Sequence, residues 1–328
     1  MKKTAFVTGG SGFTGGHLCR VLGERGYRVK ALVRENSKVA HLKEMGAELV
    51  TGDLANLQAQ NGVLKDVDIV FHVAAAYRSE GISKDQFWKV NVDGTRALLN
   101  YAYESGVKRF VHCSTVGVQG EIAHPPAKES DPYKPGDHYQ ESKMVGEKLA
   151  LAFFDTHAMA GAVVRPVGIY GPGDTRFLKL FKFINSGKFR MIGKGDVLYH
   201  LTYVEDLVEG FILAGEKEAA VGNIYTIGGN EYLTLKELVA LIAHVLGKPT
   251  PNKRVPLAPV YLAAIICESI CRPLRLEPPL YRRRLDFFTK DRAFDISKAR
   301  TDLNYAPKVP LKQGLKKTAD WYKEHKLI

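Results

Sequence analysis

The chain has 328 residues, 45% of them apolar and 25% charged, with a formal net charge of +12. That length supports one large domain or two closely joined ones with a sizeable core, and the composition is that of an ordinary globular protein. No stretch reaches the ~18 apolar residues of a transmembrane helix, and Met1-Lys2-Lys3-Thr4 runs straight into a strand-like segment rather than a signal peptide, so a cytoplasmic protein is expected.

The positive charge is spread along the chain and is densest at Arg282, Arg283 and Arg284. No zinc finger, helix-turn-helix or RNA-binding signature accompanies it, so no nucleic-acid partner is expected. The arginine run reads first as a solvated helix face, and second as a contact for an anionic ligand or a membrane surface. The four cysteines, Cys19, Cys113, Cys267 and Cys271, form no CxxC pair and no disulfide framework. Cys267 and Cys271 read as small apolar residues on one helix face, and without histidines at ligand spacing no metal is expected.

In chain order, strands are predicted at 4–8, 27–33, 48–51, 68–73, 108–113 and 162–165, and helices at 13–25, 87–105 and 139–156. This alternation predicts an α/β fold of the doubly wound, Rossmann type, a parallel sheet with helices on both faces. Beyond Pro166 glycine and proline punctuate the chain. An amphipathic helix is predicted at 233–246, a proline-rich connector at 248–259 and a closing helix at 311–324. The expected organisation is a nucleotide-binding domain over 1–165, with 197–214 returning to it, and a smaller substrate-binding domain made mainly of 166–328, facing the sheet's carboxyl edge.

Thr8-Gly9-Gly10-Ser11-Gly12-Phe13-Thr14-Gly15 links the first strand to the first helix. Glycines at 9, 12 and 15 let the backbone approach a pyrophosphate, and the helix N-terminus offers free N–H groups and a positive dipole to it. Gly9, Gly12, Phe13, Thr14 and Gly15 are therefore expected to hold a dinucleotide. The second strand ends at Val33, which cannot hold a ribose 2′-OH. Arg34 follows, and its guanidinium suits a 2′-phosphate, so NADP is favoured over NAD. As the other reading, Arg34 is a solvated loop residue. Asp53, next to Leu54 after the third strand, reads equally as an acceptor for the adenine amino group and as a turn-forming aspartate.

Tyr139 and Lys143 stand at i and i+4 on one helix face. A nearby ammonium lowers the pKa of a phenol, which then serves as a general acid or base. Ahead of them, Val111-His112-Cys113-Ser114-Thr115 ends the fifth strand.

The order of these parts resembles the extended short-chain dehydrogenase/reductase family, within the NAD-dependent epimerase/dehydratase superfamily. Phe71-His72-Val73-Ala74-Ala75, Asn91-Val92-Asp93-Gly94-Thr95, Arg165-Pro166 through Tyr170-Gly171-Pro172-Gly173, Tyr203-Val204-Glu205-Asp206 and Tyr225-Thr226-Ile227-Gly228-Gly229 also resemble its segments. The resemblance implies that Ala74 and Ala75 lie under the nicotinamide ribose and that Pro166 borders the cofactor. The family's catalytic hydroxyl lies five residues before a glycine in a pattern ending Val-Tyr-Gly. Val118-Gln119-Gly120 thus selects Thr115, with Ser114 as the alternative and Gln119 in place of the usual tyrosine. By this resemblance Thr115 bonds a substrate carbonyl, Tyr139 exchanges its proton, and Lys143 tunes Tyr139 and bonds the ribose. Ser142 is given no role.

Three departures bear on the branch. Val116 and Gly117 stand where sugar-nucleotide dehydratases carry an acidic pair. Gly168 and Tyr199 stand where sugar-nucleotide epimerases carry an asparagine and a diphosphate-binding arginine. The apolar run 255–267 is too short to span a membrane. It reads as a cover for an apolar substrate, a membrane-surface contact or an ordinary packed helix. With Asp291 to Asp295 and Leu303 to Pro307 it resembles the 3β-hydroxysteroid dehydrogenase and dihydroflavonol reductase-like branch. The expectation is an NADP-dependent oxidoreductase for a ketone or secondary alcohol on a bulky apolar small molecule. The alternatives are a nucleotide-sugar 4-epimerase with tightly bound NAD and a redox-sensing binder, which would tend to lose the Tyr-Lys pair. The resemblance also implies a homodimer through the long helices that follow Phe87 and Tyr139.

Overall fold

The computed structural model describes residues 2–54, 62–77, 82–271, 273, 276 and 278–328. Strands β1 (Thr4–Thr8), β2 (Arg28–Val33), β3 (Glu48–Thr51), β4 (Ile69–His72), β5 (Arg109–Cys113) and β6 (Gly161–Pro166) alternate with helices. The helices are α1 (Phe13–Glu24), α2 (Ala40–Glu44), α3 (Lys84–Trp88), α4 (Gly94–Glu104) and α5 (His138–Thr156). Every residue of β1, β4 and β6 is buried, because helices cover both faces of the sheet.

The helix predicted over 87–105 comes in three parts: α3, a π turn at Lys89–Asp93, and α4. Its start is set by a capping box, Ser83 with Gln86.

Beyond β6 come β7 (Gly168–Tyr170), α6 (Leu178–Asn185), β8 (Met191–Ile192), β9 (Leu198–Tyr203), α7 (Val204–Glu216) and β10 (Ile224–Ile227). They are followed by β11 (Tyr232–Thr234), α8 (Leu235–Leu246), β12 (Arg254–Val255), α9 (Leu257–Cys271), α10 (Arg282–Thr289), α11 (Ser297–Leu303) and α12 (Leu311–Glu324). The segment expected as a connector at 248–259 thus holds β12, paired in parallel with β8, and the first turn of α9.

The main sheet runs β10-β6-β5-β4-β1-β2-β3, and each neighbouring pair is parallel. Connections leave β1 toward β2 and later return to β4 on its other side. Strand order therefore reverses between β1 and β4, and a crevice opens at their carboxyl ends. The core against α1 and α7 contains Val7, Leu18, Phe71 and Val111, and it also takes Leu207, Phe211, Ile227, Ala299 and Leu303 from later in the chain. On the other face α4 and α5 pack through Leu98, Leu99, Ala150 and Phe154.

A second core joins α6, α8 and α12 through Phe181, Ile184, Leu238, Ile242, Leu315 and Tyr322. It stands beside the small sheet β11-β9-β7.

Candidate active site

A cleft of about 1710 Å³ opens at the carboxyl ends of the main strands. It is lined by Gly9, Gly12, Phe13, Thr14, Gly15, Arg34, Asp53, Leu54, Ala74, Ala75, Thr115, Tyr139, Lys143 and Pro166. The structure thus brings every site residue predicted from the sequence to one cavity.

The glycine turn sits at the end of β1. Gly12 N–H donates to Gly9 O at 3.0 Å and acts as the N-cap of α1, with no side chain capping the helix and no acid in its first turn. A Cβ on Gly15 would stand 2.1 Å from Gly9 O. The helix end and turn therefore form a cradle that any side chain at 15 would fill. Free N–H groups, a positive dipole and the absence of opposing carboxylate fit a pyrophosphate. Arg34 is exposed at the end of β2, with its backbone N–H donating to Ser37 Oγ at 3.1 Å. Asp53 is exposed, and Leu54 is buried against Gly94.

His72, at the end of β4, is wholly buried in a chain of hydrogen bonds. Ala74 N–H donates to Thr8 Oγ1 at 3.1 Å, and Thr8 Oγ1 lies 2.8 Å from His72 Nδ1. His72 Nε2 lies 2.9 Å from Thr95 Oγ1, which itself donates to Asn91 O at 2.8 Å. Since Thr95 spends its proton on Asn91, it must accept from Nε2–H, and Nδ1 accepts from Thr8. Burial, aided by the Lys143 charge, lowers the His72 pKa to about 3, so the imidazole is neutral. The network fixes the backbone of Ala74 beside the cleft.

Asn91, in the π turn, couples that segment to α5. Its Oδ1 accepts from Ala76 N–H at 2.8 Å, and its Nδ2 donates to Ala76 O at 3.1 Å and to Ser142 Oγ at 2.9 Å. Ser142, given no role from the sequence, passes its proton to Tyr139 O at 2.8 Å. A π turn is a frequent device for placing one residue of a helix at a site.

Helix α5 begins at Asp137, whose carboxylate caps Gln140 N–H at 2.7 Å. Tyr139 is 9% exposed, with the rings of Tyr77 and Phe87 set edge-on against it. One turn on, Lys143 donates to Cys113 O at 2.6 Å. Burial holds its ammonium below the ordinary lysine value, while Cys113 and the Glu147 carboxylate act the other way.

Glu147, a further turn along, was not singled out from the sequence. It accepts from Arg165, from Tyr133 Oη at 2.7 Å and from Ser114 Oγ. The repeat of Tyr139, Lys143 and Glu147 at steps of four was the available signal. Because the Ser114 hydroxyl donates to Glu147, its proton is committed there. Thr115 Oγ1 accepts from Gly117 N–H at 3.0 Å, which leaves the Thr115 proton unassigned. Gln119 folds inward and donates to Lys128 O at 2.5 Å.

Besides Thr115 and Tyr139 the cleft is lined by the apolar side chains Val116, Val167, Ile169, Phe177, Phe287 and Phe294, interleaved with the charged Arg176, Arg283, Asp286, Lys290 and Arg292. A Cβ on Gly168 would meet Leu201 Cδ2 at 2.7 Å and His200 O at 3.2 Å, so an asparagine there would have to push the Leu201 side chain aside. Tyr199 donates to Phe287 O at 2.5 Å and accepts from Arg292. Arg292 also donates to Lys290 O and Asp286 O.

A family model described as "NAD dependent epimerase/dehydratase family" matches residues 5–228. The chain belongs to that family. Within it, the chain is 33% identical over 325 residues to "2-alkyl-3-oxoalkanoate reductase" of Stenotrophomonas maltophilia (strain K279a), covering 95% of this chain and 97% of the relative. It is 32% identical over 342 residues to "3-beta-hydroxysteroid dehydrogenase" of Mycolicibacterium neoaurum, covering 96% and 90%. The solved structure titled "Crystal structure of gox2253" superposes with a TM-score of 0.86 at 30% identity over the whole of both chains. Family membership and these relatives make the chain an NAD(P)-dependent enzyme of the extended short-chain dehydrogenase/reductase type and support oxidoreduction.

Proposed function

We propose that the protein is an NADP-dependent oxidoreductase that interconverts a ketone and a secondary alcohol on a bulky, largely apolar molecule. The convergence of the glycine cradle, Thr115, Tyr139 and Lys143 on one cleft that also holds Val167, Ile169, Phe177, Phe287 and Phe294 carries this reading.

Gly9, Gly12, Phe13, Thr14 and Gly15 would hold the pyrophosphate, Arg34 the 2′-phosphate and Asp53 with Leu54 the adenine end. Ala74, Ala75 and Pro166 would border the nicotinamide end. When bound, the dinucleotide supplies or takes the hydride. The Thr115 hydroxyl donates to the substrate carbonyl oxygen, for which the committed Ser114 proton leaves it the better candidate. Tyr139 delivers its phenolic proton to that oxygen in reduction and withdraws it in oxidation. The Lys143 ammonium stabilises the phenolate left behind.

The aromatic and aliphatic side chains in the cleft favour a steroid-, flavonoid- or keto-lipid-like substrate. They accord with relatives named for a 2-alkyl-3-oxoalkanoate and a 3β-hydroxysteroid. The crowded Gly168 and the internal engagement of Arg292 speak against a nucleotide sugar. The four free thiols suit a reducing cytoplasm. An aromatic cluster of Tyr103, Phe153 and His157 on the outer side of α4 and α5 suits a homodimer contact there.

The test is cofactor titration of the purified protein with NADPH, NADH and NAD, after checking for retained nucleotide. Oxidation of NADPH is then followed with steroid ketones, dihydroflavonols and 2-alkyl-3-oxo acids. Turnover of one of these that is lost in Tyr139→Phe supports the reading. Tightly retained NAD with no NADPH turnover on any ketone sinks it and sends the search to sugar-nucleotide epimerisation.

A further inference from the structure

Helix α9 spans Leu257–Cys271, and among its residues only Ala264 and Glu268 are buried. Leu262, Ile266 and Ile270 are 58%, 51% and 58% exposed, and they follow one another at steps of four along the outer face. Tyr261 and Ile265 flank them, and Leu276 beyond the helix is also exposed. Scattered exposed apolar residues are ordinary, but a continuous stripe along a helix of about 22 Å is not. The expectation of an ordinary packed helix does not describe this one.

The surrounding charge identifies what would cover the stripe. From Lys248 to Arg284 the sequence carries eight lysines and arginines against two acidic residues. One of those acids, Glu268, faces inward and accepts from Arg282 through the backbone N–H at 2.7 Å and the guanidinium at 3.0 Å and 3.1 Å. Lys253 and Arg254 are exposed just before α9, and Arg283 and Arg284 are exposed on α10. An apolar stripe flanked by cations, with no exposed carboxylate among the described residues of α9, is complementary to acyl chains beneath anionic head groups. An acidic protein partner would match the cations but not the breadth of the aliphatic stripe.

We propose that the outer face of α9 docks onto an anionic lipid surface, with Leu262, Ile266 and Ile270 entering the acyl boundary and the neighbouring lysines and arginines meeting the head groups. The helix lies in the surface and does not cross it, since no helix among the described residues is long and apolar enough to do so. Glu268 and Arg282 tie α9 to α10. Arg283 of α10 pairs with Asp137 at the start of α5, and both Arg283 and Phe287 line the cleft. Docking therefore sets the mouth of the cleft against the lipid. Only the further step, that an apolar substrate enters from there, rests on the function proposed above.

The test is co-sedimentation of the full chain with sucrose-loaded vesicles, with no substrate present. One set is phosphatidylcholine alone, and the other is an equal mixture of phosphatidylcholine and phosphatidylglycerol. Binding is expected to the mixed vesicles, to weaken as salt is raised, and to fall at least about tenfold in Leu262→Asp/Ile266→Asp/Ile270→Asp. The variant's melting temperature and cofactor affinity should match wild type, since these side chains face solvent. If the variant fails to fold, the comparison of vesicles and salt in wild type still decides. Wild type left in the supernatant with both vesicle sets overturns the proposal. So does equal sedimentation of wild type and the folded variant. Self-association that the substitutions abolish, without vesicle binding, would instead make a second copy the occupant and also overturns it. Because cofactor and ketone turnover are measured separately, failure here leaves the oxidoreductase reading standing, and the reverse holds as well.

Discussion

Arg165 meets Glu147 through two guanidinium nitrogens, Nη2 at 2.5 Å and Nε at 3.1 Å and 3.2 Å, and neither side chain has any exposed surface. The pair stands beneath the cleft. Glu147 shares the face of α5 with Lys143 and Tyr139, Arg165 precedes Pro166, and Ser114 precedes Thr115. Arg165 also donates to Glu129 O, and Glu129 Oε1 accepts from Thr226 N–H. One buried ion pair thus registers β5, β6, β10 and α5 against each other.

Removing one partner should leave a buried charge uncompensated. Glu147→Gln is expected to lose about 3–5 kcal/mol of stability, and Arg165→Met a similar amount. The double variant Glu147→Leu/Arg165→Met should recover much of that. Urea unfolding of the three variants checks it. Two single losses that simply add would show that the pair is not coupled.

Ser114 and Thr115 are adjacent hydroxyls with different commitments. Thr115→Val should lower kcat on a ketone by about 10²-fold, with cofactor affinity unchanged. Ser114→Ala should act mainly on stability, because it removes a donor from Glu147. Steady-state kinetics paired with thermal melts separate the two. A larger kcat loss in Ser114→Ala would exchange their roles.

Arg34 projects, exposed, from the end of β2. Arg34→Ala should weaken NADPH binding about tenfold and leave NADH binding nearly unchanged. Fluorescence titration with both nucleotides measures the ratio. An unaltered ratio would assign the 2′-phosphate elsewhere or NAD to the site.

His72 has its pKa lowered from 6.5 to about 3 by burial. Between those values the unfolded chain binds a proton that the folded chain refuses. The stabilising contribution is therefore complete above pH 6.5 and is lost progressively as pH falls toward 3, at up to about 1.4 kcal/mol per pH unit. His112, also buried and likewise lowered, adds to the slope. Urea midpoints in this window should fall with acidification more gently in His72→Gln than in wild type. Parallel slopes would mean that His72 is charged in the fold.

Much of the main sheet was legible because it is buried on both faces, which forces runs such as Ala5-Phe6-Val7 and Ile69-Val70-Phe71. Strand β10 is not legible as a strand, although Tyr225-Thr226-Ile227 resembles a family segment. Four residues carry too little periodicity, and their pairing with β6 spans some 60 residues of chain. The site was legible where chemistry demands a fixed local spacing, as in the glycine turn and the pair Tyr139 and Lys143. Its supports were not, because Glu147, Arg165, His72 and Asn91 act through contacts that only tertiary packing creates. The outer face of α9 was ambiguous for a related reason. Apolar content alone does not say whether a helix is covered.

The core beneath β1, β4 and β5 is completed by Leu207, Phe211 and Ile227, and then by Ile296, Ala299, Leu303 and Tyr305. A ribosome making this chain therefore releases the glycine turn and α1 long before the last residues of the core that α1 joins. Until the last tenth of the chain emerges, the part of this core where α11 packs on α7 and β10 stays open to water. A nascent chain is then exposed to chaperones and proteases through most of its synthesis, and truncations near the C-terminus should harm cofactor binding although they lie far from it in sequence.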